Sequence, residues 1–205
     1  MKKQAMGHYL QPYKIVCLAF NYLDLTEGEK NPPLIFFKPS TAIIRDRQHI
    51  RIPKRGGHVW PEVELAVRIG RLCRNVSARR AHRYISGYAV ANDVTMMAEH
   101  DVHLAASKGR DTFLPLGEWH TELSGTNNLE MMALVNGKII QKSTTSLRIY
   151  DEFKAIEYIS KVCTLLPGDV VLTGTPAHHH HRLKAGDRVT VRVGDMEITN
   201  PVSRG

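Results

Sequence analysis

Cysteine is scarce in this chain. The three that occur, Cys17, Cys73 and Cys163, lie far apart in apolar stretches. That spacing excludes a disulfide framework or a zinc knuckle and implies reduced core thiols in a cytoplasmic protein. Long apolar runs are also missing. None reaches the roughly 18 residues that cross a bilayer, so no membrane partner is expected. Met1-Lys2-Lys3 is basic, but no apolar segment follows it before Tyr9-Leu10, and no secretory signal is expected. Aromatic residues make up only 7% of the chain, and none is interleaved with the basic clusters Lys54-Arg55, Arg68 to Arg74 and Arg79-Arg80. The formal charge of +8 favours anionic partners. Without interleaved aromatics, a helix-turn-helix or a zinc finger, nucleic acid is not the expected one. A small carboxylate or phosphate is.

What is present fits a globular enzyme of one domain. The chain has 205 residues, of which 42% are apolar, enough for a sizeable core. Residues 13–18 and 34–37 read as strands. Residues 62–69 alternate, with Val63, Leu65, Val67 and Ile69 on one face and Glu62, Glu64, Ala66 and Arg68 on the other. Ser77 reads as the cap of a helix running to about Ile85 and ended by Gly87. Tyr88 to Asp93 reads as a strand, and Asp151 to Val162 as an amphipathic helix. Asn136-Gly137 and Gly194-Asp195 mark two hairpins. Strands outnumber helices and do not alternate with them, which predicts an α+β fold with two or three helices. No linker or repeat divides the chain, so residues 1–205 are read as one domain with a core from about 14 to 202.

The chemistry centres on carboxylates. Glu62 and Glu64 leave their strand on the same side, with Cα atoms about 7 Å apart. Two carboxylates that close repel unless a cation lies between them or one takes a proton. Asp93, at the end of another strand, offers a third oxygen ligand. From the residues alone two readings stand: a solvated strand face, or a site for a hard cation such as Mg2+, which takes about six oxygens and keeps some positions for water or substrate.

The order of short motifs adds a second line of argument. Asn21-Tyr22, Phe36-Phe37-Lys38-Pro39-Ser40, Glu62-Val63-Glu64-Leu65, Gly87 to Val94, Lys108-Gly109-Arg110-Asp111, Val135-Asn136-Gly137, Leu172-Thr173-Gly174-Thr175-Pro176 and Asn200-Pro201-Val202 follow one another along the chain. In that order they resemble the fumarylacetoacetate hydrolase family, in its short, single-domain form. The resemblance implies a mixed β-roll, a homodimer, and Mg2+ or Mn2+ held by Glu62, Glu64 and Asp93. It also implies a catalytic role for Lys108 and substrate contacts from Arg110, Thr175, Asn21 and Tyr22. The substrates implied are 2-oxo acids, their enols and related dicarboxylates. Arg110 after the lysine is similar to the branch of 2-hydroxyhepta-2,4-diene-1,7-dioate isomerases and 5-oxopent-3-ene-1,2,5-tricarboxylate decarboxylases. That branch belongs to aromatic catabolism.

Two departures bear on the reaction. The family usually has arginine just before the asparagine and histidine four residues after it. Here those positions are Phe20 and Leu25. Leucine cannot activate water, so isomerisation or decarboxylation is expected ahead of C–C hydrolysis. A degenerate member that binds metal and carboxylate with little turnover is the remaining alternative. Glu99, His100, Asp101 and His103 precede Lys108. His100 and His103, three apart, read as surface residues, with one alternative: a shared helical face that restores an acid/base group. His178 to His181 read as a solvated loop, with one alternative: an imidazole beside the metal in place of the missing histidine. Asn75-Val76-Ser77 is formally a glycosylation sequon, set aside in favour of Ser77 as a cap.

Overall fold

The computed structural model describes residues 12–54, 57–97, 101, 104–123 and 125–205. Among them are β1 Ile15–Ala19, β2 Leu34–Lys38, β3 Ile43–Ile44, β4 Ile50–Ile52, β5 Val59–Trp60, β6 Val63–Ile69 and β7 Ile85–Asn92. The chain continues through β8 Thr95–Met96, β9 Leu114–Pro115, β10 Glu130–Val135, β11 Lys138–Thr144, β12 Val170–Leu172, β13 Arg188–Val193 and β14 Met196–Arg204. Its α-helices are α1 Ala78–Ala81, α2 Ala105–Lys108 and α3 Glu152–Val162. This is the strand-rich α+β architecture expected from the sequence. No described helix is long and apolar enough to cross a membrane.

Two five-stranded sheets carry the fold, in the orders β2-β1-β12-β6-β7 and β11-β10-β13-β14-β4. Both are mixed: β1 pairs with β12, and β14 with β4, in parallel, and their other pairings are antiparallel. The alternation of β6 explains how the layers meet. Its Val63 and Leu65 join Val90 of β7 against Met131, Val191 and Ile198 of the second sheet. Its Val67 and Ile69 lie in a cluster with Ile156 and Ile159 of α3. Burying each such aliphatic side chain contributes on the order of 1.5–3 kcal/mol. The opposite face of the first sheet is made of small residues, Ala66, Ala89 and Ala91, packed with Cys17 and Leu172.

Local signals explain the turns. Asn136 and Gly137 take φ of 52° and 80°, the two positive values that a tight hairpin between β10 and β11 requires. Asp151 caps α3 by accepting from the backbone N–H of Lys154 at 2.8 Å. The helix after Ser77 is shorter than predicted. It ends at Ala81, passes into a 3-10 turn over His82–Tyr84, and Ser77 makes no side-chain cap. Gly87, read as a helix stop, lies inside β7. A Cβ there would meet the His120 carbonyl oxygen at 3.2 Å, where the Tyr88 and His120 backbones exchange two 2.8 Å hydrogen bonds. That glycine serves a close backbone approach, a use that looks the same in sequence as a cap.

Candidate metal centre

The pairing of β6 with β7 builds the centre. Val63 stands opposite Asn92 and Glu64 opposite Ala91, which places Glu62 and Asp93 side by side just beyond the ladder. The Asp93 N–H donates to the Glu62 carbonyl at 2.8 Å, and the Asn92 side-chain oxygen accepts from the Glu62 N–H at 3.0 Å. The small Ala91 leaves room beside Glu64. The short β5–β8 ladder, Trp60 opposite Thr95, clamps the same strand ends.

All three carboxylates are buried: Glu62 is 7% exposed, Glu64 1% and Asp93 0%. This rules out the solvated-face reading. One oxygen from each lies within 4.8 Å of the others. Lys108, brought in by the last turn of α2, donates to Glu62 Oε2 at 2.6 Å and Asp93 Oδ2 at 2.7 Å. Lys38 Nζ forms a buried ion pair with Asp93 Oδ1 at 2.6 Å. Glu64 Oε2 accepts from the Gly174 N–H at 2.7 Å, and Glu62 Oε1 from the Trp60 indole N–H at 2.7 Å.

Three carboxylates thus face two ammonium groups in a site closed to bulk water. Burial pushes Glu62 up, but the Lys108 ammonium and His178 outweigh it and hold Glu62 well below the usual carboxylate range. Glu64 goes the other way: burial and then Asp93 raise it, and Lys108 offsets them only in part. For Lys108, burial alone would lower the ammonium, and Asp93, Glu62 and Glu64 reverse that and hold it above the ordinary lysine value. Three buried carboxylates with one oxygen each within 4.8 Å of the others, an all-oxygen donor set, fit a hard divalent cation.

The remaining predicted residues divide. Thr175 is buried, and its hydroxyl accepts from Gln141 Nε2 at 2.9 Å, leaving its own proton to donate. Gln141 also bonds the Pro176 carbonyl at 2.8 Å and so pins the turn. Arg110 is half-buried and spends its Nε on the Ala106 carbonyl at 3.0 Å. Asn21 and Tyr22 were expected to touch substrate, and the structure places them beneath the site instead. Asn21 is fully buried. Its amide donates to the Thr173 carbonyl at 2.7 Å and the Tyr150 carbonyl at 2.9 Å, and its oxygen accepts from the Tyr150 N–H at 2.8 Å. Tyr22 is buried in the core with its hydroxyl on Met131 Sδ at 3.0 Å. Asn21 holds the Thr-Gly-Thr turn in place. Leu25, in the position of the missing histidine, packs against the same core.

Sequence reasoning missed Lys38, Trp60, Gln141 and the main-chain N–H of Gly174. The Asp101 carboxylate accepts from the Ser107 N–H at 2.6 Å and steadies the helix that carries Lys108. Glu99, His100 and His103 lie outside the described residues. The histidine run is not uniformly solvated: His178 is turned inward, its side chain 7% exposed, with Nε2 3.5 Å from Glu62 Oε1. Burial lowers its pKa, but Glu62 and the Pro176 carbonyl outweigh burial, and the net shift is upward. His180 packs on Trp60, with ring centroids 4.5 Å apart.

Comparison with known proteins follows the same lines. Residues 14–203 match the fumarylacetoacetate (FAA) hydrolase C-terminal family. A crystal structure of 5-carboxymethyl-2-hydroxymuconate delta-isomerase from Mycobacterium smegmatis superposes with a TM-score of 0.89 at 39% identity, over 95% of this chain and 80% of that one. The 2-hydroxyhepta-2,4-diene-1,7-dioate isomerase from Mycobacterium marinum gives 0.87 at 40% identity, over 95% and 75%. Among curated proteins, an oxaloacetate tautomerase of Xenopus laevis mitochondria is 35% identical over 93% of this chain and 66% of its own length. With the family match spanning nearly the whole chain and the acidic cluster in place, the chain belongs to the fumarylacetoacetate hydrolase family.

Proposed function

We propose that this chain is a divalent-cation-dependent enzyme that interconverts keto and enol forms, or shifts double bonds, in small 2-oxo acids. The observation that carries the reading is the convergence of Glu62, Glu64 and Asp93, buried and bridged by Lys108. The relatives named as isomerases and a tautomerase support the reaction class.

Glu62, Glu64 and Asp93 would hold Mg2+ or Mn2+. When bound, the cation supplies a Lewis acid for the negative charge that develops on the substrate's 2-oxygen. Lys108 lies within reach of the same place. Its ammonium donates a hydrogen bond to that oxygen and can return a proton to it. The Thr175 hydroxyl donates to the substrate carboxylate. Arg110, whose terminal nitrogens make no hydrogen bond among the described residues, receives the distal carboxylate of a dioic substrate in a guanidinium fork. Decarboxylation uses the same stabilised enolate and ranks next. C–C hydrolysis ranks below, because Leu25 packs into the core where a water-activating group would be needed.

The test follows oxaloacetate and 5-oxopent-3-ene-1,2,5-tricarboxylate with Mg2+ and with EDTA, recording enol absorbance and carbon dioxide release. Mg2+-dependent loss of enol absorbance without carbon dioxide establishes the tautomerase, and release of carbon dioxide the decarboxylase. Normal Mg2+ binding with no turnover of either substrate would defeat the enzymatic reading in favour of a degenerate binder.

A further inference from the structure

We propose that Gln141 is a positioning residue: it fixes the Thr175 hydroxyl as a hydrogen-bond donor to the substrate's carboxylate. The inference rests on the substrate contact proposed for Thr175 and adds a group from the second sheet to the site.

The strand that carries Gln141 points to a specific role. β11 leaves Ile139 49% exposed and buries Gln141 to 4%. No other residue of that strand is buried. This reverses the usual choice, since burying an amide is unfavourable unless its hydrogen bonds are replaced. The register shows how it arises. Ala133 stands opposite Gln141 and Leu134 opposite Ile139, so Ile140 is the extra residue of a β-bulge. Bulges re-aim neighbouring side chains, and Gln141, beside this one, faces inward.

Its hydrogen bonds have one polarity. Gln141 Oε1 lies 3.3 Å from the Val63 N, which only donates, and Nε2 lies 2.8 Å from the Pro176 carbonyl oxygen, which only accepts. These two contacts fix which end of the amide is which. The second Nε2 hydrogen then goes to Thr175 Oγ1 at 2.9 Å. A hydroxyl is otherwise free to rotate and can offer either a proton or a lone pair. With an N–H aimed at its oxygen, the Thr175 proton points away from Gln141. A carboxylate only accepts, so this is the polarity it needs, and accepting from Gln141 strengthens the donation. Val63 lies between Glu62 and Glu64, so the same amide ties the carboxylate strand to the turn that carries Thr175. That turn is fixed at its other end by Thr173, whose N–H and hydroxyl both donate to the Leu65 carbonyl, at 3.1 and 3.0 Å.

The experiment measures Mg2+ affinity, and then oxalate affinity of the Mg2+-loaded chain, by calorimetry. Oxalate carries a carboxylate beside further oxygen ligands and is not turned over. Gln141→Met and Thr175→Val should each weaken oxalate about tenfold with Mg2+ affinity kept, and the double variant should be no weaker than either single one. Unchanged oxalate affinity in Gln141→Met, additive losses, or oxalate and Mg2+ weakened together would overturn the proposal. Should Gln141→Met fail to fold, the amide protons decide. Oxalate should move the Gln141 proton bonded to Thr175 downfield in 15N-resolved spectra of wild type, and the movement should vanish in Thr175→Val. No movement with oxalate bound overturns the positioning role and leaves the proposed function standing. No oxalate binding by the Mg2+-loaded wild type overturns both.

Discussion

Among single residues, the conflict between ionisation and folding is sharpest at Glu64. It is buried beside Asp93, and its folded pKa is raised. The protonated carboxyl therefore stabilises the metal-free fold fully below the unfolded glutamate value of about 4.3. That stability is lost as pH rises through the raised folded value. In EDTA, wild type should lose Tm relative to Glu64→Gln as pH rises above the unfolded glutamate value, and Mg2+ should remove the difference. Glu64→Ala should abolish Mg2+-dependent turnover while the fold persists. Lys108 is the converse case. Lys108→Ala leaves Glu62 and Asp93 without their shared counter-ion, and losing one partner of a buried pair costs about 3–5 kcal/mol. The loss should be large in EDTA and shrink with Mg2+, whereas activity should not return. A Tm series with and without metal separates these two effects.

At the scale of elements, the Thr173 to Pro176 turn is where scaffold and site meet. Gly174 has φ of 92°, and a Cβ there would meet Asn21 Cβ and the Leu18 carbonyl oxygen at 3.0 Å. Gly174→Ala is thus strained twice over and should displace the N–H that holds Glu64, weakening Mg2+ binding in a calorimetric titration. Asn21→Ala removes three buried hydrogen bonds under the same turn, and unsatisfied buried groups cost about 1–3 kcal/mol each. It should lower Tm and raise KM although Asn21 is buried beneath the turn. These elements also mark what could be read in advance. That Glu62 and Glu64 share a face was legible because a period-two strand puts alternate residues on one side; that they form a set with Asp93 was legible only through the resemblance carried by the order of motifs. The hairpins were legible because Asn136-Gly137 needs two positive φ values. Lys38 was not, since its burial follows from the β1–β2 register, Ile15 opposite Lys38, and no local pattern records that. His178 was not either: its neighbours His179 and His181 are exposed, and only the path of the loop distinguishes them.

For the whole molecule, the proposed cation would link its binding to folding in one equilibrium. A ligand that binds only the folded state stabilises it by about 2.7 kcal/mol at 100 times its Kd. For a chain of this size that is on the order of 5–11 °C in Tm. A thermal scan against Mg2+ concentration should follow that curve, and a flat response would contradict a preformed site. Binding and catalysis should also part company: Arg110→Ala is expected to raise KM for dioic substrates more than for oxaloacetate, without moving the Mg2+-dependent Tm.

Most groups that hold the three carboxylates come from distant stretches of chain: Lys38, Lys108 and the Gly174 N–H. Glu62 and Asp93 meet as soon as two neighbouring strands pair, but Glu64 is not secured until a segment 110 residues further on has docked. Tight cation binding is therefore a timestamp for the end of assembly. In a refolding experiment it should appear after the hairpins and the β6–β7 ladder, together with the last gain in protection of the Gly174 amide.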